Sequence, residues 1–306
     1  MEDYNKIIES LGVRFIKAKN IKILQPVTIE NYYDVENTIM LVHHGEIRFG
    51  KDNTPVAPGE ILFVPGGKMA SLSYGSGSPT SLTNEDFMSR KENYFQGFSV
   101  EEIDSMQDES FSYVNFDAKV FDSVNFFSSL DIPPFIINDQ KIKLLIRNIL
   151  EESVSQEPGR ERAVKITTEY LVVEIVRYII RNRLFLEQLA TNSTYFKDPR
   201  LIDIFAYIKE NLDGDLSNKV LASVANVSED YVGQYFKMLT GINPQDYIEY
   251  QRMEQAVNLL RTSKKSIRDI GKEVGYKDTA YFCRRFKMMF GIPAGKMRRR
   301  ESLINI

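Results

Sequence analysis

Residues 221–241 read LASVANVSEDYVGQYFKMLTG, and residues 270–291 read IGKEVGYKDTAYFCRRFKMMFG. The two stretches are one pattern written twice. Leu221-Ala222 and Asn226-Val227 recur 49 positions later as Ile270-Gly271 and Gly275-Tyr276. Tyr231, Phe236-Lys237 and Gly241 recur 50 later as Tyr281, Phe286-Lys287 and Gly291, so one residue is inserted in the turn. Each copy predicts a short helix, a tight turn and a longer helix. The longer helices carry their apolar positions on one side: Val232, Phe236 and Leu239 in the first, Phe282, Phe286 and Met289 in the second. Small Ala222 and Gly271 let the two helices of each pair cross closely, while Asn226 and Gly275 supply a left-handed turn residue. Ser228 and Asp278 are good N-caps, leaving first-turn N–H groups aimed outward. Between the copies, Pro244 to Leu260 predicts a continuous helix that holds them at a fixed separation. This is the helix-turn-helix pattern, twice.

Working outward, charge collects at the carboxyl end. Residues 1–197 carry 21 Lys/Arg against 28 Asp/Glu, and residues 198–306 carry 18 against 14. Within that second part, 198–260 holds 5 basic and 10 acidic residues, whereas 261–306 holds 13 and 4. A basic end on an acidic body is the electrostatic footprint of a nucleic-acid binder, and a solvated basic tail gives the same count. The chain of 306 residues is long enough for about two domains. Its single cysteine, Cys283, and its two adjacent histidines, His43 and His44, argue against disulfides, Cys-rich zinc sites and His-based catalytic triads. No stretch approaches the roughly 18 consecutive apolar residues of a membrane span, and no signal-like segment opens the chain, so a cytoplasmic protein is expected.

From Val13 to about Val120 the sequence predicts short strands, including Thr38–His43, Glu46–Phe49, Ile61–Val64 and Phe95–Val100, in a barrel or sandwich. The Ser-, Gly- and Thr-rich stretch Ser71–Asn84 reads as a flexible loop. After Pro133-Pro134, Ile142, Leu145, Ile146, Ile149 and Leu150 predict an amphipathic helix ending before Pro158-Gly159. A second helix is predicted from about Arg160 to Leu189, with Ile166, Tyr170, Val173, Val176 and Ile180 on one side and further apolar residues on others. Such a helix is covered either by the barrel or by a second copy of itself. The polar segment Ala190–Pro199 reads as a linker.

At the carboxyl end the chain resembles the double helix-turn-helix DNA-binding domain of the AraC/XylS family of transcription regulators. The likeness covers roughly residues 198–300. It rests on Tyr231, Phe236-Lys237, Thr240-Gly241, Pro244, Tyr247, Arg252, Ala256, Leu259-Leu260, Ile267, Ile270, Val274-Gly275-Tyr276, Tyr281-Phe282, Arg284, Phe286-Lys287, Phe290-Gly291 and Pro293. The resemblance implies that both longer helices enter successive major-groove segments of double-stranded DNA. With Val232 and Phe236 inward, helical geometry gives Asp230, Gly233 and Gln234 to base readout in the first helix. It gives Thr279, Ala280, Cys283 and Arg284 to the same role in the second. Arg284 is matched to guanine and Gln234 to adenine, where a typical family member has Arg. Lys237, Lys287, Arg298, Arg299 and Arg300 are assigned to phosphate. Glu229 and Asp230 open the first reading helix with negative charge; they either cap the helix dipole or, through Asp230, accept from cytosine. Met297-Arg298 stands where the family commonly has Tyr-Arg.

Residues 57–67, APGEILFVPGG, are similar to the strand-turn signature of cupin-like sensor domains in that family. Adjacent His43 and His44 on a strand point to opposite faces and do not share an ion easily, so neither a metal nor another cofactor is expected. A barrel of that kind holds a small-molecule effector, with Ile39, Leu41, Ile61 and Phe63 as wall residues and Lys68 or a histidine as polar anchor; ordinary core packing explains the same apolar residues.

The expected fold class is α+β. A cupin-like sensor over residues 1–135 is followed by a helical dimerisation region at 136–190, a linker at 191–198 and an all-helical DNA-binding domain at 199–306. The expected function is a sequence-specific, effector-responsive transcription regulator, an activator touching RNA polymerase, homodimeric, with no catalytic activity and no membrane partner. The alternatives are a regulator answering a partner protein and a cupin enzyme with a DNA-binding appendage.

Overall fold

The computed structural model describes residues 4–9, 11–67, 69–120, 124–189, 198–240, 242–290 and 292–298. They fall in two compact units, residues 8–188 and the residues from 189 onward together with those up to Ile7. A short helix α1 (Tyr4–Glu9) precedes the first strand.

The 8–188 unit holds two sheets. The first is ordered β12 (Phe135–Ile137), β6 (Ile61–Val64), β3 (Asn37–His44), β10 (Ser110–Val120), β1 (Leu11–Ile23) and β9 (Phe95–Phe98), with β11 (Val124–Asn125) also on β10. The second is ordered β5 (Thr54–Val56), β4 (Ile47–Phe49), β7 (Ala70–Tyr74), β2 (Val27–Tyr32) and β8 (Thr80–Leu82). Alternation along each strand sends one set of side chains between the sheets. Met40, Val42, Leu62, Val64 and Phe111 from the first sheet meet Val27, Ile29, Ile47, Val56, Leu72 and Tyr74 from the second in one buried cluster.

The expected loop over Ser71–Asn84 is corrected by β7 and β8. Leu72 and Tyr74 face the core, Ser73 Oγ lies 2.7 Å from Thr28 Oγ1 on β2, and Thr83 caps helix α2 (Asn84–Arg90). Small polar residues hide these strands because the outward face of a half-buried sheet tolerates them.

The reverse face of the first sheet carries Ile39, Ile61 and Phe63, all fully buried. Phe63 packs its ring against Phe127 of helix α3 (Phe126–Ser129) at 4.8 Å and against Phe135 at 5.3 Å. These expected wall residues therefore lie on the face opposite the interior between the sheets. Leu41 shares that reverse face and borders a cleft described below. Lys68 lies outside the described residues.

Helix α4 (Gln140–Val154) buries Ile142, Leu145, Ile146, Ile149 and Leu150, as its periodicity predicts. Its start is fixed by Asp139, whose carboxylate accepts from Lys141 N and Ile142 N. Helix α5 (Arg160–Arg181) packs on α4 and β1 through Val164, Thr168, Leu171, Val172, Ile175 and Ile179. That face corrects the expected one: Ile166 and Tyr170 are exposed, and of the predicted stripe Val176 alone is fully buried. The helix also stops at Arg181 rather than continuing to Leu189, because Arg183 and Phe185 take left-handed backbone conformations, with φ of 53° and 52°. Among the described residues, no group of three or more His, Cys, Asp or Glu could hold a metal ion. No described helix is long and apolar enough to cross a membrane.

Candidate nucleic-acid interface

The second unit is helical throughout: α6 (Pro199–Glu210), α7 (Asn218–Ala225), α8 (Glu229–Thr240), α9 (Pro244–Thr262), α10 (Ile267–Glu273) and α11 (Thr279–Phe290). Residues 294–298 add a final helical turn. Helices α7 and α8 form the first helix-turn-helix and α10 and α11 the second. The turns take the backbone the sequence requires. Asn226 has φ 54° and ψ 44°, and Gly275 has φ 87°. At Gly275 space is closed as well, since an added Cβ would stand 2.5 Å from the Leu212 carbonyl and 2.8 Å from the Arg252 guanidinium. At Gly271 the added atom would meet the Phe282 ring at 3.2 Å, which is why helix α11 crosses α10 so closely.

The inner faces are aromatic. Val232, Phe236, Phe282 and Phe286 are fully buried. Phe205 of α6 contacts Phe236 and Tyr247 at 5.5 and 5.0 Å, and Phe286 contacts Phe290 at 4.4 Å. Phe290 is buried and the expected Met289 is only half-buried, so Phe290 closes the inner row of α11. Met297 is buried too, taking an apolar packing position at the end of the module.

Helix α9 holds both motifs. Arg252 donates through Nε to the Leu212 carbonyl at 2.8 Å and through Nη2 to the Gly214 carbonyl at 3.2 Å, and its guanidinium lies 5.9 Å from the centre of the Tyr276 ring. Glu249 accepts from Arg285 of α11 through both oxygens, with Nε to Oε1 at 2.5 Å, and is 3.4 Å from the Tyr276 hydroxyl. Burial, with Glu249 beside it, pushes the Tyr276 phenol well above its ordinary range, so it stays a protonated donor.

Outward, the sequence-assigned residues separate into two kinds. Asp230, Gln234, Lys237, Ala280, Arg284 and Lys287 are exposed. Thr279, Cys283 and Gly233 are half-buried. Gly233 faces α7, where an added Cβ would stand 3.5 Å from Asn218 Nδ2; Cys283 occupies the same place in the second copy. The Arg284 guanidinium lies 5.9 Å from the Tyr281 ring centre, a weak contact that leaves its donor fork open. Asp278 Oδ1 accepts from Tyr281 N, fixing the start of α11.

Arg298 is half-buried and donates to the Lys265 carbonyl at 2.5 Å, a tether between the last helical turn and the loop before α10. Arg299 and Arg300 lie outside the described residues. Sequence reasoning passed over Tyr231 and Tyr281, 50 positions apart and both more than two-fifths exposed beside the reading positions. Their signal was the repeat itself: an aromatic kept in both copies yet pointing away from the core.

The family described as "Helix-turn-helix domain" matches residues 221–300. An uncharacterized HTH-type transcriptional regulator of Haemophilus influenzae is 26% identical over 165 residues, which is 54% of each chain. The Transposon Tn10 TetD protein of Escherichia coli is 30% identical over 114 residues, 37% of this chain and 83% of that one. The chain thus spans about half the length of the first of these relatives. The crystal structure of ToxT from Vibrio cholerae superposes with a TM-score of 0.53 over 96% of this chain and 99% of that one, at 10% identity, a likeness of fold. The chain belongs to the AraC-type helix-turn-helix transcriptional regulators.

Proposed function

We propose that this chain is a sequence-specific DNA-binding transcription regulator that works in the cytoplasm as a homodimer, with no catalytic step of its own. The observation that carries the reading is the pair of helix-turn-helix motifs fastened to one helix, with Arg284 exposed on the second reading helix and paired with no carboxylate among the described residues. In this reading α11 provides most of the affinity and salt dependence, because 261–306 is basic. Helix α8 opens with Glu229 and Asp230 and adjusts specificity. The exposed Ile166 and Tyr170 of α5 supply the self-association face. A small-molecule effector that binds one arrangement of the 8–188 unit better than another shifts promoter occupancy by linkage, and the regulator activates by touching RNA polymerase.

Selection from a random duplex library by the full chain, at low and moderate salt, tests the core of this reading. A two-part consensus supports it; recovery of unenriched sequence at both salts overturns it. The filled interior between the two sheets favours a second reading, in which a partner protein rather than a metabolite controls the 8–188 unit. Footprints with and without candidate metabolites separate the two.

A further inference from the structure

We propose that a cleft on the outside of the first sheet, between the end of β3, the 57–60 turn and the first half of α4, binds a small organic monoanion, a carboxylate on an apolar body. The cleft encloses about 390 Å³, within the range of small-molecule sites.

Its polar wall is built by a break in β3. The register against β10 shifts between Ser110, opposite His44, and Phe111, opposite Val42, leaving His43 as the extra residue of a bulge. Consecutive histidines on a regular strand face opposite ways; here both border the cleft. This corrects the expectation from strand alternation. His43 Nε2 lies 2.6 Å from Ser112 Oγ, and Ser112 donates onward to Asn20 Oδ1 at 2.6 Å. Nε2 therefore carries the proton, and Nδ1 is the ring's acceptor. Burial, then His44 and Arg147, lowers the ring to about 4, so it is neutral.

One cation of the cleft has no carboxylate of its own. Arg147 gives its fork to Asp104, with Nη1 to Oδ1 at 2.9 Å and Nη2 to Oδ2 at 2.5 Å, and its Nε to Glu151. Glu60 turns its carboxylate to Ala57 N. The Lys143 ammonium is then left without an ion pair or hydrogen bond among the described residues, its Nζ 3.8 Å from where a Cβ on Gly59 would stand. Asp104 and Glu151 are both held by Arg147, so the Lys143 ammonium is the group in this half-enclosed cleft that can still meet a negative charge. Leu41, Ile103 and Leu144 line the same cleft, and Leu144 is 53% exposed, an apolar side chain between the charged Lys143 and Arg147. Those residues supply the apolar wall.

The inference deepens the effector reading, but binding and its effect on DNA are tested separately. The chain has only two histidines and both border the cleft, so the imidazole signals of histidine-labelled full-length protein report this site alone. Hexanoate is expected to move them saturably. Lys143→Gln weakens that binding at least about tenfold, the loss expected for one charge-assisted contact. The neutral isostere 1-hexanol binds at least about tenfold more weakly, and the distant Lys51→Gln binds as the unaltered chain does. No shift at millimolar hexanoate, equal binding of hexanol, or an unchanged affinity in Lys143→Gln overturns the site. Saturable binding with no change in affinity for the selected DNA overturns the effector reading and leaves the site standing.

Discussion

Glu249 of the connecting helix α9 holds Arg285 of the second reading helix through both carboxylate oxygens. The pair is partly exposed, with side-chain exposures of 22% and 30%, so its worth is set by geometry more than by burial. In a double-mutant cycle with Glu249→Ala and Arg285→Ala, measured by urea unfolding, a coupling of about 1 kcal/mol is expected. DNA affinity should fall in both single variants although neither residue is assigned to a base. Zero coupling would mean that the core alone aims α11.

Arg284→Ala is expected to weaken binding to the selected sequence by about 1 to 3 kcal/mol and relax preference at one base position. Lys287→Ala should weaken all sequences alike and lower the salt slope by roughly 0.9. If Arg284→Ala costs the same on random DNA, the guanidinium meets phosphate only.

Gly275 and Gly159 share a left-handed backbone, φ 87° and 89°, but only Gly275 is hemmed in. Gly159→Ala should cost about 1 kcal/mol for its backbone alone. Gly275→Ala adds a collision with the Leu212 carbonyl, worth a further 1 to 3 kcal/mol or so. Thermal unfolding of both variants checks this, and equal losses would show that the turn opens to admit the methyl group.

Ile166→Glu places a charge on an exposed position of α5 and is expected to drive sedimentation towards monomer with little loss of stability. Val176→Glu, at a position 1% exposed, should instead destabilise the fold. Dimers that survive Ile166→Glu would move the self-association face elsewhere.

His43 should titrate near 4 by NMR, against 6.5 for an unperturbed ring. The unfolded chain takes up this proton first as pH falls, so the stability that the neutral ring confers is whole above 6.5 and is lost progressively towards 4. The difference in melting temperature between the unaltered chain and His43→Gln should shrink across that window. A flat difference would mean that the ring takes up its proton alike in the folded and unfolded chains.

The carboxyl-terminal unit was legible because its geometry leaves few chemical choices. A turn at φ 87° beside a carbonyl takes glycine, and a crossing 3.2 Å from a phenylalanine ring favours the smallest residues, glycine in one copy and alanine in the other. Period and spacing then located the helices of both motifs and the connector between them. Legibility failed where the controlling fact was not local. Ser73 reads as loop until Thr28, 45 positions away, provides its partner. The buried face of α5 was misassigned because apolar residues occur on several sides, and only the position of β1 and α4 decides between them. The end of α5 lacks glycine, since Arg183 and Phe185 adopt left-handed conformations themselves. The bulge that gathers His43 and His44 belongs to the pairing with β10 and leaves no mark on β3 alone.

Helix α9 is an unbroken run of 19 residues, about 28 Å long, clamped at Arg252 and Glu249. Such a strut neither stretches nor swivels, so under the proposed function the protein sets the helical phase of its operator. Five added base pairs between the two sub-sites would carry the second to the far side of the duplex, and ten would move it about 34 Å out of reach. Promoters under this regulator are therefore bound to tolerate base changes far better than insertions.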